Sequence, residues 1–130
     1  MITDPVSDML TRLRNALAVR RDVVELPHSN LKEAIANILK REGYLSSVEK
    51  TGQVPHAMIR VALAYEHDRP RLRTLRRVSK PGSRVYMKTG EIRPVMSGMG
   101  ISIISTPNGL MTNREARSRR LGGEVICEIS

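Results

Sequence analysis

Three observations predict an α+β chain of two small lobes. Apolar residues recur at helical spacing in two early segments, from Val6 to Leu17 and from Leu31 to Leu39. Ile59, Val61, Leu63 and Tyr65 then alternate, which is the period of a strand with one buried face. Beyond residue 66 the apolar runs shorten and turn residues cluster, so the second half reads as strand and turn. The expected lobes are 1–66, helix-strand-helix-strand-strand, and 67–130, mostly β with one short helix. A chain of 130 residues suits one domain or two such lobes, burying roughly two-thirds of its surface.

Asp4 can cap a first helix whose opening position is Pro5. Val6, Met9, Leu10, Leu13 and Leu17 mark its buried face, Asp8 lies in its first turn, and Arg12, Arg14 and Arg20 follow toward the carboxyl end. Val23 to Leu26 is a short strand closed by Pro27. A second helix starts at Ser29 or Asn30, the latter spaced from Glu33 as in a capping box. Leu31, Ile35, Ile38 and Leu39 give its core stripe, and Gly43 its stop. Leu45 to Lys50 turns through Thr51-Gly52 into the strand Ala57 to Tyr65. Glu66 to Pro70 is polar and ends in proline, which marks it as the linker.

Leu72, Leu75 and Val78 are spaced by three, so periodicity leaves Arg71 to Val78 open between helix and strand. Lys80-Pro81-Gly82-Ser83 has the proline and glycine placement of a type II turn, and Arg84 to Met87 returns as a strand. Pro94 to Gly100 is irregular and Ile101 to Ile104 is a short apolar strand. Thr112 and Glu115 form the T-x-x-E spacing of a capping box, so a helix begins there, with Gly122 placed to stop it. Val125 to Ile129 is the last strand; Cys127 should share a face with Val125 and Ile129 as a small buried hydrophobe.

Charge narrows the function. There are 22 Lys and Arg against 13 Asp and Glu, a net +9. Residues 1–65 carry nine basic and seven acidic residues, whereas residues 66–130 carry thirteen and six, so +7 of the excess lies in the second half. A surplus concentrated in one half is an electrostatic footprint for a polyanion. A membrane surface fits less well, since the basic half lacks a long amphipathic helix with bulky anchors. No apolar run approaches a membrane span, and acidic Asp4 and Asp8 precede any basic residue, unlike a secretory or transit peptide. One cysteine excludes an internal disulfide and a multi-cysteine zinc site, which fits a reducing cytoplasm.

Catalysis has little support. His28, His56 and His67 are scattered, and none has the spacing of a metal-binding helix pair. Gly98-Met99-Gly100 opens like a dinucleotide fingerprint, but Ile103 holds the third glycine position and a strand follows instead of preceding it. Met96-Ser97-Gly98 lacks the leading glycine of a nucleophile elbow. No catalytic, metal or cofactor residue is expected.

The segment Ile104 to Cys127, ISTPNGLMTNREARSRRLGGEVIC, is the strongest binding candidate. Ser105, Thr106, Asn108 and Gly109 offer small polar groups and open backbone, and the helix beyond brings Arg114, Arg117, Arg119 and Arg120. Hydroxyls and amides beside guanidiniums suit a phosphodiester backbone; a surface turn and a solvated basic helix is the plainer reading. Arg84 and Tyr86 share the strand face opposite Val85 and Met87. Tyr86 is either a stacking platform or a half-buried tyrosine. With three Tyr and no Phe or Trp, stacking cannot be the main source of affinity.

These stretches resemble the family of bacterial small-subunit ribosomal protein eight along essentially the whole chain. Thr3 to Ala16, TDPVSDMLTRLRNA, is similar to its opening helix. HSNLKEAIANILKREGY, His28 to Tyr44, is similar to its second helix, VSKPGSRVY, Val78 to Tyr86, to its central hairpin, and Ile104 to Cys127 to its signature. The resemblance implies a strand over Arg71 to Val78. It implies non-catalytic binding to the central domain of small-subunit ribosomal RNA, assembly of the platform in the cytoplasmic ribosome, and ribosomal proteins five and twelve as neighbours. Some members also repress their own messenger RNA.

By the same resemblance, Ser105, Thr106 and Gly109 match a loop that enters an RNA minor groove, and Gly122, Gly123 and Glu124 match the strand start beside it. Tyr86 matches an RNA-facing position, and Arg14, Ser29 and Lys32 match contacts to a second part of the RNA. Glu124 would accept from base amines or 2′-hydroxyls, or position an arginine; as a plain strand-edge charge it would keep the sheet soluble. Pro107 departs from the family's usual serine and removes a hydroxyl and an N–H. Asn108 and Asn30 stand where lysine is common, an offset for which Arg119 and Arg120 are available. The competing classes are another RNA-binding module such as a chaperone or translational repressor, a small enzyme, and a basic adaptor for acidic proteins.

Overall fold

The computed structural model describes residues 4–130, so Thr3, where the opening-helix resemblance begins, lies outside the described residues. Two compact units are present, one spanning Pro5–Arg73, the other Thr74–Ser130 together with Asp4. Among the described residues no helix is long and apolar enough to cross a membrane.

In the first unit, helix α1 (Pro5–Ala18) is followed by β1 (Val23–Pro27), α2 (Asn30–Arg41), β2 (Leu45–Thr51) and β3 (Met58–Leu63). The strands form an antiparallel sheet in the order β1-β3-β2. Its core is built by Val6, Met9, Leu10, Leu13 and Ala16 of α1 and by Ile35, Ala36, Ile38 and Leu39 of α2. Leu26, Ile59, Val61 and Leu63 supply the sheet side, the alternating residues of β3 all pointing inward.

Ser29 is the N-cap of α2: its side chain accepts from the backbone N–H of Lys32 at 3.2 Å, so the cap is Ser29 and not Asn30. The helix face is rotated from the expected stripe, with Leu31 exposed at 40 % and Lys32 buried at 7 %. Gly43 ends the helix at φ +88° while Tyr44 N–H reaches back to the Leu39 carbonyl, a Schellman closure. Glu66 to Pro70 is no linker. It is a tight hairpin, β4 (Tyr65–Glu66) and β5 (Arg69–Pro70), turned by His67 and Asp68, both at positive φ.

The second unit contains β6 (Leu75–Arg77), β7 (Tyr86–Met87), β8 (Ile101–Thr106), β9 (Gly109–Thr112), α3 (Asn113–Ser118) and β10 (Gly123–Ile129). Its sheet runs β6-β10-β8-β9, with β7 also pairing β10. Only Leu75–Arg77 of the expected strand 71–78 is extended into the ladder. The Lys80–Ser83 turn is closed by Ser83 N–H on the Lys80 carbonyl at 2.9 Å, but Gly82 is not at positive φ, so it is not type II.

A bulge in β10 pairs Val125 with Ile104 and Cys127 with Ile103. Neighbouring residues of β8 point to opposite faces, so Val125 and Cys127 do as well, contrary to simple alternation. Val125 joins Ile92, Ile104, Met111 and Ala116 in one buried cluster. Cys127 is fully buried on the other side, and burial pushes its thiol up to about 12.

Candidate nucleic-acid interface

The hydroxyl-rich segment is not a free loop. Ser105 and Thr106 end β8, Pro107-Asn108 turn, and Gly109 begins β9, a strand absent from the expected element list. Neither Pro107 nor Asn108 is at positive φ, whereas Gly109 is at +107°. This is the three-residue pattern of an ordinary turn followed by a left-handed glycine, for which proline suits the first turn position.

Thr106 is spent inside this turn. Its Oγ1 donates to the Gly109 carbonyl at 2.8 Å and accepts from Asn108 N–H at 3.1 Å, and the residue is buried. Ser105, the preceding residue, is half-buried on the opposite face. Asn108 and Gly109 are exposed at the tip.

Register brings the other candidates together. Glu124 of β10 pairs with Tyr86 of β7 on one side and with Ser105 of β8 on the other. Paired residues share a sheet face, so Tyr86, Glu124 and Ser105 form one row across three strands. Tyr86 is 68 % exposed, which removes the half-buried reading. Arg84 donates from Nη1 to Glu124 Oε2 at 3.0 Å. That hydrogen bond raises the guanidinium above its ordinary value, and the carboxylate it neutralises is mostly enclosed.

The two glycines keep this row flat. A Cβ on Gly123 would lie 2.0 Å from the Ser105 carbonyl oxygen, and one on Gly122 would lie 2.6 Å from that of Met87. Both obstacles are backbone, so only glycine permits the approach. Gly122 does not stop α3. The helix closes on Arg120, at φ +55°, with Leu121 N–H on the Ala116 carbonyl at 2.8 Å. Its start is as expected: Thr112 Oγ1 accepts from Glu115 N–H at 3.2 Å, and Glu115 Oε1 accepts from Thr112 N–H at 3.3 Å.

A groove of about 700 Å³ runs along the row, lined by Tyr86, Ser105, Pro107, Gly122, Gly123 and Glu124 and also by Met87, Lys88, Thr89 and Glu91. The last three were not singled out in the sequence; they reach the groove because the Gly122 backbone packs on Met87 and Lys88. Arg114 and Arg117 are exposed but line a different cleft. In the first unit Arg14 is exposed on α1, Ser29 is the α2 cap, and Lys32 is buried one turn on. Among the described residues no cluster of His, Cys, Asp and Glu could hold a metal ion.

The profile of the family described as Ribosomal protein S8 matches residues 4–130. Proteins named small ribosomal subunit protein uS8 are similar from end to end. That of Clostridium beijerinckii is 49% identical over 130 residues, covering 99% of this chain and 98% of the relative. That of Clostridium novyi is 50% identical over 129 residues, with the same coverage of both chains. That of Lysinibacillus sphaericus is 49% identical over 129 residues, covering 98% of each. With a profile match over nearly the whole length and half the residues shared with several relatives, the chain belongs to the ribosomal protein S8 family.

Proposed function

We propose that this protein binds the central domain of small-subunit ribosomal RNA through the Tyr86–Glu124–Ser105 row and helps organise the platform as the subunit assembles. Family membership carries the coarser part of this reading: the protein is a structural constituent of the small ribosomal subunit, a partner of ribosomal RNA and other ribosomal proteins, and not an enzyme.

The observation that carries the finer part is the row itself. The minor groove of A-form RNA is wide, shallow and lined with 2′-hydroxyls and base edges. A flat sheet face with one hydroxyl, one exposed aromatic ring and glycine backbone can lie against it, where bulkier side chains would hold it away. A lone carboxylate would repel phosphate. Glu124 is tolerable there because Arg84 balances its charge at 3.0 Å, leaving an acceptor for amines or 2′-hydroxyls.

Thr106 supports the turn from within, so contact from the tip falls to Ser105, Asn108 and the Gly109 backbone. Arg14, Ser29 and Lys32 of the first unit meet a second part of the RNA. Ribosomal proteins five and twelve are the neighbours in this reading, with the protein's own messenger RNA as a further ligand.

Chemical footprinting of the protein on naked small-subunit RNA tests the reading. Protection should fall in a structured helical segment of the central domain, and the protein should cosediment with small subunits. Protection spread evenly over the RNA, with no cosedimentation, would favour a general RNA chaperone.

A further inference from the structure

We infer that the carboxy-terminal unit has a second RNA-contacting face, a cleft between α3 and the Val95–Gly100 turn that takes the phosphodiester backbone of an RNA segment other than the one in the Tyr86 groove. This rests on the RNA-binding reading above and adds to it a further ligand segment, held by the same unit as the Tyr86 groove.

The arginines of this unit divide into two sets. Arg76, Arg77 and Arg84 are each ion-paired, with Glu128, Asp4 and Glu124. Arg93, Arg114, Arg117, Arg119 and Arg120 are exposed and make no ion pair among the described residues. Arginine charge left unpaired is therefore concentrated around α3, whereas the groove along the sheet row is lined by one cation, Lys88, and by the carboxylates Glu91 and Glu124. Arg114 and Arg117 are three residues apart and so lie on one side of the helix. They line a cleft of about 400 Å³ with Gly98, Gly100, Asn113 and Ser118, and no carboxylate lines it. Two guanidiniums beside a hydroxyl match the oxygens of a phosphodiester. None of these residues lines the Tyr86 groove.

The cleft walls are held in place. Asn113 is buried, accepting from Ser102 N–H at 3.2 Å and donating to the Arg93 carbonyl at 3.1 Å, which fastens the start of α3 to the facing segment. The turn is closed by Gly98 and Gly100 N–H groups on the Val95 carbonyl at 3.0 and 3.1 Å. It is seated on the end of β10, where a Cβ at Gly100 would lie 2.7 Å from the Ile129 carbonyl oxygen. Met96, Ser97 and Gly98 are all at positive φ, a backbone that two non-glycine residues rarely adopt in succession. That backbone leaves Met96 67 % and Met99 81 % exposed. Their polarizable side chains can pack on sugar or base faces beside the bound backbone.

Directed hydroxyl-radical probing of the full-length protein tests this. Cys127 is buried with its thiol pushed up to about 12, so an iron chelate goes to an introduced cysteine. S97C places the chelate on the turn beside the cleft, and G90C places it beside the groove, where a Cβ meets open space. On a central-domain fragment the two positions should cut two separate RNA segments. The double variant R114A/R117A should lose footprint protection on the segment cut from S97C while the segment cut from G90C stays protected. Its log-affinity against log-salt slope should be shallower by about one to two. Cutting from G90C alone, or both positions cutting one segment, would overturn the second face and leave the groove reading intact. No specific cutting from either position would overturn the RNA-binding reading beneath it, as would apply if acidic proteins were the partners.

Discussion

At the scale of single residues, neighbouring hydroxyls have different duties. Thr106 closes the turn between β8 and β9 with two hydrogen bonds, whereas Ser105 sits in the row beside Glu124. Thr106→Ala should lower stability by about 1 kcal/mol, measured by denaturant unfolding, because it removes a turn hydrogen bond. Ser105→Ala should leave stability near wild type and weaken binding to a structured central-domain RNA by about 1–3 kcal/mol, the cost of an unpaired group at the contact. Equal loss of stability in both would show that Ser105 is structural. Cys127 gives a pH-dependent check. Its folded value, about 12, lies above the ordinary 9.0, so its neutral form is favoured in the fold. The sign follows: that contribution is complete below pH 9 and is lost as pH rises toward 12. Stability should therefore decline across this window, and Cys127→Ala should flatten the decline. An unchanged alkaline profile in the variant would contradict the assignment.

At the scale of elements, α3 illustrates how a short helix is fixed by its ends. The Thr112–Glu115 box starts it, and Arg120 ends it in a conformation that costs a non-glycine residue roughly 1–2 kcal/mol. Arg120→Gly should raise stability by about 1 kcal/mol in thermal unfolding while removing one positive charge. A fall in stability would mean that the arginine side chain holds the helix end. What could be read beforehand follows the same logic of local against non-local cause. The Thr112 box and the Gly43 stop are set by residues within one turn, and both were legible. The strand β9 was not, because Gly109 to Thr112 is too short for a pattern and is extended only through pairing with β8. The bulge at Val125–Cys127 was equally hidden, since residue 126 is extra only relative to a partner strand. Gly122 and Gly123 were legible by resemblance as a strand start, but their close approach to the backbone of Met87 and Ser105 is fixed by tertiary pairing.

At the scale of the whole molecule, in the proposed reading the +9 charge and its position set the partner class and the sheet row sets the specificity. Affinity should fall severalfold or more between about 50 and 200 mM monovalent salt, because neutralised phosphates release counterions. Affinity indifferent to salt would remove the cationic residues from the account. Composition pointed to a polyanion partner, and the signature residues supplied the candidates for the proposed interface. The pairing of Arg84 with Glu124 and the separation of Arg114 and Arg117 from the groove required the fold. The most direct measurement is parallel titration of a central-domain RNA fragment and a scrambled duplex with the double variant Tyr86→Ala/Ser105→Ala. The variant should fold normally, lose about 2 kcal/mol or more on the fragment, and keep its weak affinity for the duplex, since no charge is removed. A folded variant that still prefers the fragment as strongly as wild type would contradict the central claim that this row reads the RNA.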